Sequence, residues 1–250
     1  MRPARLGVVL VAHGSRDPRA GRATEALAQA VRARYPEWDV RASYLDHSVP
    51  RPRQVLASLE AAGHRRAVMV PLLLTCAYHG RVDVPGEITA ARAEGVRLDV
   101  SLSDVLGPVE GEVPGLLLDG LVSRLSGASC DALVLAAAGT RNAAARETVQ
   151  LAAAALGARL GVPCRVAYAS AAPPLAGDAV RELRAAGHER VGLASYFLAP
   201  GLLWDAAVAS AREAGVDGVA EPLTDRAEVA ELVGERVADA IASKPALRAA

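Results

Sequence analysis

Short, wholly apolar runs alternate with longer amphipathic stretches along the chain. Leu6 to Ala12 (LGVVLVA) is apolar at every position, which predicts a parallel strand buried on both faces. Ala23, Leu27, Ala30 and Val31 then recur at helical spacing. DVRASYL (39–45) predicts a second strand, and RQVLASLEAA a helix that Gly63 stops. RAVMVPLLL (66–74) predicts a third strand. Asp83 and Pro85 open a helix that Gly95 ends. VRLDVS predicts a fourth strand, followed by a helix through Leu116, Leu121 and Leu125. Four βα units in series imply a parallel sheet with helices on both faces.

The same order then recurs. DALVLAAAGTRN matches GVVLVAHGSRD with Gly14 laid on Gly139, and AAGHERVGLASYFLAPG matches AAGHRRAVMVPLLLTCA with Gly63 laid on Gly187. The two offsets differ by one residue and equal about half the chain. The expected fold class is therefore α/β: two tandem homologous βα domains, each with a four-stranded parallel sheet flanked by helices. The expected boundaries are 1–126 and 127–243, with 244–250 a frayed tail.

Composition narrows the function classes. Of 250 residues, 52% are hydrophobic and 22% charged, enough for a sizeable core. Lys plus Arg and Asp plus Glu are both 28, so net charge is zero, which argues against a generic nucleic-acid binder. Aromatic content of 3% disfavours base-stacking platforms. Cys76, Cys130 and Cys164 are far apart and odd in number, which fits free thiols in a reducing cytoplasm. No apolar stretch reaches membrane length, and the N-terminal run is too short for a secretory signal. No nucleic-acid or membrane partner is expected.

Ligands of parallel sheets bind beyond the carboxyl ends of the strands. Three loops of the first half end strands there, AHGSRDPRAG, LDHSVPRPR and LLTCAYHGRVDVPGE, and each carries a histidine: His13, His47 and His79. The second half has Ala138 and Leu203 opposite His13 and His79, and Ser170 opposite Asp46. His64 and His188 fall in the AAGH turn of both repeats, at the other end of the strands, and read as structural. His13 precedes a Gly-Ser turn, and with His79 it could face a divalent metal across one mouth. His47 and Asp46 would share that rim, while Cys76 reads as a buried thiol.

VAHGSRDPRA, taken with VPLLLTCAYHGRVDVPGEI, resembles the sirohydrochlorin chelatases (class II chelatases) in their long, two-repeat form. The resemblance covers nearly the whole chain. It rests on the HGSR turn and on the H-x3-D-[IV]-P segment, here His79, Asp83, Val84 and Pro85. It implies insertion of Fe2+ or Co2+ into sirohydrochlorin for siroheme or cobalamin, with Fe2+, Co2+ or Ni2+ as substrate and no tightly bound cofactor. It implies His13 and His79 as catalytic residues and metal ligands, with Asp46 in place of the family's glutamate. Tyr78 stands where the family has glycine, narrowing the mouth or stacking on the macrocycle.

The chemistry asks for these residue types. Neutral imidazole binds borderline divalent metals moderately and accepts protons near pH 7, whereas a thiolate cage would not release the metal. Sirohydrochlorin carries eight carboxylates, so Ser15, Arg16, Arg51, Tyr78 and Arg81, together with Arg19 and Arg53, are candidate substrate contacts. The loop ASYFLAPGLLWDA faces the macrocycle or packs on the first half. A monomer with pseudo-two-fold domain pairing is expected. The alternatives are a non-catalytic tetrapyrrole or metal-delivery module, which a steady-state insertion assay distinguishes, and an interaction protein, which the asymmetric histidines oppose. A histidine phosphatase wants arginine where Ala12 stands, and no GxGxxG follows the first strand.

Overall fold

The computed structural model describes residues 5–75, 83–125 and 129–243. Two four-stranded parallel sheets account for the repeat. The first contains β1 (Leu6–Ala12), β2 (Trp38–Tyr44), β3 (Arg66–Pro71) and β4 (Asp99–Leu102) in the order β2-β1-β3-β4. The second contains β5 (Ala132–Ala137), β6 (Cys164–Tyr168), β7 (Val191–Tyr196) and β8 (Gly218–Val219) in the order β6-β5-β7-β8. The expected α/β class with two tandem four-stranded parallel sheets is what the structure has. The continuous apolar runs are the central strands: Val8 to Val11 and Ala132 to Ala136 have at most 2% of their surface exposed.

The helices of the first half are α1 (Pro18–Arg34), α2 (Pro52–Ala61), α3 (Val84–Ala93) and α4 (Gly115–Leu125). Those of the second are α5 (Ala143–Leu160), α6 (Ala176–Ala185), α7 (Leu202–Glu213) and α8 (Ala227–Ala242). On the outer face of the first sheet, Val9, Val11 and Met69 pack with Val55, Leu56 and Leu59 of α2 and with Ala91 of α3. On the outer face of the second, Val134, Ala136 and Leu193 pack with α6 and α7. The inner faces share one core, in which Val8, Leu10 and Val70 belong to the same cluster as Leu133, Leu135 and Leu156.

The last helix of each half leaves its own sheet. α8 packs on α1, β3 and β4 of the first half, and α4 packs on α5 and β7 of the second, the two helices also touching each other. Leu117 and Leu121 of α4 and Leu232, Val233 and Val237 of α8 are almost wholly buried there. Polar contacts follow the exchange. Arg34 of α1 pairs with Glu231 of α8 at 2.8 Å, and Arg236 Nε donates to the Val105 carbonyl at 2.8 Å. Among the described residues, no helix is long and apolar enough to cross a membrane.

Candidate functional site

The site is built on the β1–α1 turn. Asp17 caps α1, its carboxylate accepting from the Arg19 amide at 2.9 Å, and Pro18 follows in the first turn, where its missing N–H costs nothing. Ser15 Oγ accepts from the Asp17 amide at 3.0 Å. Gly14 has φ +90, and a Cβ there would collide with the Asp46 carbonyl oxygen. That close approach needs glycine. It lets the Asp46 amide donate to the His13 carbonyl at 2.8 Å, so the turns after β1 and β2 are fastened together.

The fastening brings His13, Asp46 and His47 to one rim. The His13 and His47 rings stand edge to face with centroids 6.5 Å apart. His47 Nε2 lies 3.6 Å from Asp46 Oδ2, and the His47 amide donates to Asp46 Oδ1 at 2.8 Å. That amide N–H is the main cause holding the Asp46 carboxyl below its ordinary range, with the His47, Arg51 and His13 side chains adding to it and partial desolvation opposing it. Asp46 is thus a fixed anion beside two imidazoles. Among the described residues, no group of three His, Cys, Asp or Glu side chains is disposed to hold a metal ion. Cys76, Tyr78, His79 and Arg81 lie outside the described residues.

The candidate cations divide in two. Arg16 is exposed on the β1–α1 turn, and Arg51 precedes α2, its amide donating to Gln54 Oε1 at 2.8 Å. Arg19 and Arg53 are already committed. Arg19 pairs with Asp17 at 2.6 Å and with Asp205 of α7, and Arg53 with Glu87 at 3.3 Å and Glu94 at 3.1 Å. His64 is structural: Nδ1 is 2.7 Å from the Arg5 carbonyl and Nε2 is 2.9 Å from Asp39 Oδ2. His188 lies 3.8 Å from Asp131 in the equivalent turn.

The second half repeats the scaffold without the histidine and the aspartate. Gly139 has φ +96 and approaches the Ser170 carbonyl as Gly14 approaches that of Asp46. Thr140 Oγ1 accepts from the Asn142 amide at 3.2 Å, and Asn142 caps α5 through the Ala145 amide at 3.1 Å. Ala138 takes the place of His13, and Ser170 Oγ donates to the Ala138 carbonyl at 2.9 Å. Tyr196 packs on the first half, its hydroxyl donating to the Leu74 carbonyl at 3.0 Å. Leu202 and Leu203 remain exposed, at 80% and 44%, and Trp204 Nε1 donates to Ser195 Oγ at 2.9 Å. A cavity of about 230 Å3 opens between the ends of β3, β5 and β7, bordered by Leu74, Thr75, Gly139, Thr140, Tyr168 and Phe197.

Two features were not singled out from the sequence: the Asp205 partner of Arg19, and Tyr168 in the cavity wall. The signal for Tyr168 was present, since Tyr44 and Tyr168 occupy the same place in the repeated second strand.

Two parallel-sheet halves that share one core between their inner faces, with imidazoles concentrated in one of them, define a pseudo-symmetric α/β protein with a cavity among its strand-end loops. The family described as CbiX matches residues 7–119 and again residues 132–240. The chain belongs to this family and contains two copies of it. A curated sirohydrochlorin cobaltochelatase of Methanococcoides burtonii is 24% identical over 81 residues, which are 32% of this chain and 62% of that relative. The match thus spans less than two thirds of the relative's own length. SirB from Bacillus subtilis with Fe3+ superposes with a TM-score of 0.80 at 19% identity, covering 94% of this chain and 95% of that one. SirB from Bacillus subtilis subspecies spizizenii in complex with cobalt gives 0.76 at 18% identity, with 94% and 95% covered. At these identities the likeness establishes a shared fold.

Proposed function

We propose that this protein is a lyase that inserts Fe2+ or Co2+ into sirohydrochlorin, in siroheme or cobalamin biosynthesis. The observation that carries the reading is the His13–Asp46–His47 rim, present in one copy of a duplicated CbiX fold and absent from the other. His13 and His79 bind the incoming metal and accept the two pyrrole protons. Neutral imidazole does both near pH 7 and releases the metal to the four pyrrole nitrogens. Asp46, held as a carboxylate, adds negative charge beside the metal. Ser15, Arg16, Arg51 and Arg81 meet the carboxylates of the macrocycle, and Tyr78 borders its face.

In this reading residues 1–126 carry the chemistry, and residues 127–243 supply the opposite wall of the cleft. The chain acts as a monomer in the cytoplasm, its two halves pairing as two subunits would. The divalent metal is a substrate, without a resident cofactor. The test is anaerobic incubation of sirohydrochlorin with Fe2+, Co2+ or Ni2+ in turn, followed by absorbance. Turnover beyond one equivalent of enzyme is expected with at least one metal. Uptake that stops at one equivalent would instead make the chain a carrier.

A further inference from the structure

The apolar surface that this chain leaves in water is gathered at one end of its sheets. Among the described residues, the four most exposed large apolar side chains are Val49, Leu175, Leu202 and Leu203. Val49 and Leu175 lie in the loops that follow β2 and β6, and Leu202 and Leu203 open α7 after the loop that follows β7. All four stand beyond the carboxyl ends of strands, where ligands of parallel sheets bind. Single exposed apolar residues are ordinary on a protein surface, but their grouping at the ligand-binding end is not.

Two of them converge on the turn that presents His13. Val49, 77% exposed, follows Ser48, whose hydroxyl donates to the Ser15 carbonyl at 3.2 Å. Leu202, 80% exposed, stands three residues before Asp205, whose carboxylate pairs with Arg19. Side chains three apart share one face of a helix, so Leu202 lies on the side of α7 that is turned to the first half. The two most exposed large apolar side chains of the described residues, one from each half, are thus tied to the short segment between Ser15 and Arg19. Arg16 is exposed on that same segment, and so is His13 just before it. A cation and two apolar side chains around one histidine match a ligand that is charged at its rim and apolar on its flat faces. A tetrapyrrole with peripheral carboxylates has that form. A metal ion alone, or a simple polyanion, would leave Val49 and Leu202 without a partner.

We propose that Val49 and Leu202 are substrate contacts that rest against the flat apolar surface of the tetrapyrrole and hold it over the His13 turn, while Arg16 meets its carboxylates. This rests on the chelatase reading and extends it. The second half, which has Ala138 in place of His13, contributes apolar contact in place of a metal ligand.

The test is fluorescence titration of the full chain with metal-free uroporphyrin, a flat ring with eight carboxylates, at low and high salt, in parallel with steady-state insertion into sirohydrochlorin. Val49→Thr and Leu202→Gln keep side-chain size at exposed positions, so their melting temperatures should match that of the wild type. Each should weaken uroporphyrin binding about fivefold, because part of an exposed apolar side chain leaves water on binding. That loss should persist at high salt, whereas the loss in Arg16→Gln should shrink. KM for sirohydrochlorin should rise by more than kcat falls. Leu151→Gln, the same kind of change at an exposed leucine of α5, is the control and should alter neither affinity nor KM. Wild-type affinity in both Val49→Thr and Leu202→Gln, with insertion by the wild type intact, would overturn the assignment and leave the chelatase reading standing. Self-association of the wild type that Leu202→Gln abolishes without changing uroporphyrin affinity would also overturn it, since a second copy would then cover this face. A wild-type chain that neither binds uroporphyrin nor inserts metal would overturn both.

Discussion

Arg19 and Asp205 join the two halves through the first turns of α1 and α7. Arg19 lies in the first turn of α1, just after the turn that presents His13, and Asp205 lies in the first turn of α7. Both terminal nitrogens of the guanidinium reach the Asp205 carboxylate, with Nη1 at 3.2 Å from Oδ1. Asp17, the cap of α1, holds the same guanidinium from the other side. The position of the His13 turn is therefore tied to α7 of the second half.

Asp205→Asn tests that tie. The pair is about 40% exposed on each side, so its loss should lower Tm by only a few degrees. The larger effect is expected in KM for the macrocycle, which should rise several-fold while kcat changes little. Repeating the measurement in high salt, which screens the wild-type pair, should narrow the difference.

His13→Ala and His79→Ala should each lower metal insertion by about 100-fold or more, the scale of lost acid–base assistance. His13 is exposed, so its removal should leave Tm nearly unchanged. His64→Ala is the contrasting case. It removes bonds to the Arg5 carbonyl and Asp39 at the far end of β1, so Tm should drop while insertion continues.

Arg16→Gln and Arg51→Gln should raise KM more than they lower kcat, as loss of uniform binding does. Wild-type affinity should fall with added salt and the variants should respond less. An unchanged KM in both would return these residues to ordinary surface charge.

Gly14→Ala and Gly139→Ala form a matched pair. Each puts a Cβ into the facing carbonyl at a φ near +90, and each should cost roughly 2–4 kcal/mol. Similar falls in Tm are expected. Measured at a temperature where both remain folded, only Gly14→Ala should lower kcat, because it alone displaces His13 from Asp46.

Acid stability has a local source in Asp39. The Arg41 guanidinium, and then His64, hold its carboxyl below the ordinary range against partial desolvation. A depressed folded value means that the stabilisation is full above the unfolded value of about 3.9 and is lost as pH falls through the lower folded value. The Tm difference between wild type and Asp39→Asn should be largest above about pH 5 and should narrow below about pH 4.

Much of the fold was legible because a strand buried on both faces is written as an unbroken apolar run. LGVVLVA and ALVLAA needed no partner to be recognised. The repeat was equally plain, since the Gly14 and Gly139 turns recur with the same neighbours. Other features depend on residues distant in sequence. The apolar stripe of α8 shows that one face is buried, but nothing in Val229, Leu232 and Val233 says that the covering sheet begins at Leu6. Arg19 and Arg53 read as rim cations because Asp205, Glu87 and Glu94 are remote from them in the chain. The rim itself was half visible. His13 and Asp46 were readable from their turns, whereas the edge-to-face approach of His47 depends on its own positive φ of 57.

The crossing of α4 and α8 also dictates when the protein can finish folding. The first sheet and α1 leave the ribosome well before Leu232, Val233 and Val237, the side chains that complete their inner layer. At about 5–20 residues per second, the gap between Leu102 and Val237 lasts on the order of ten seconds. During that interval Val8, Leu10 and Val70 must wait with their layer incomplete. A messenger truncated anywhere before α8 would therefore yield a product with a sticky, open side rather than an active half.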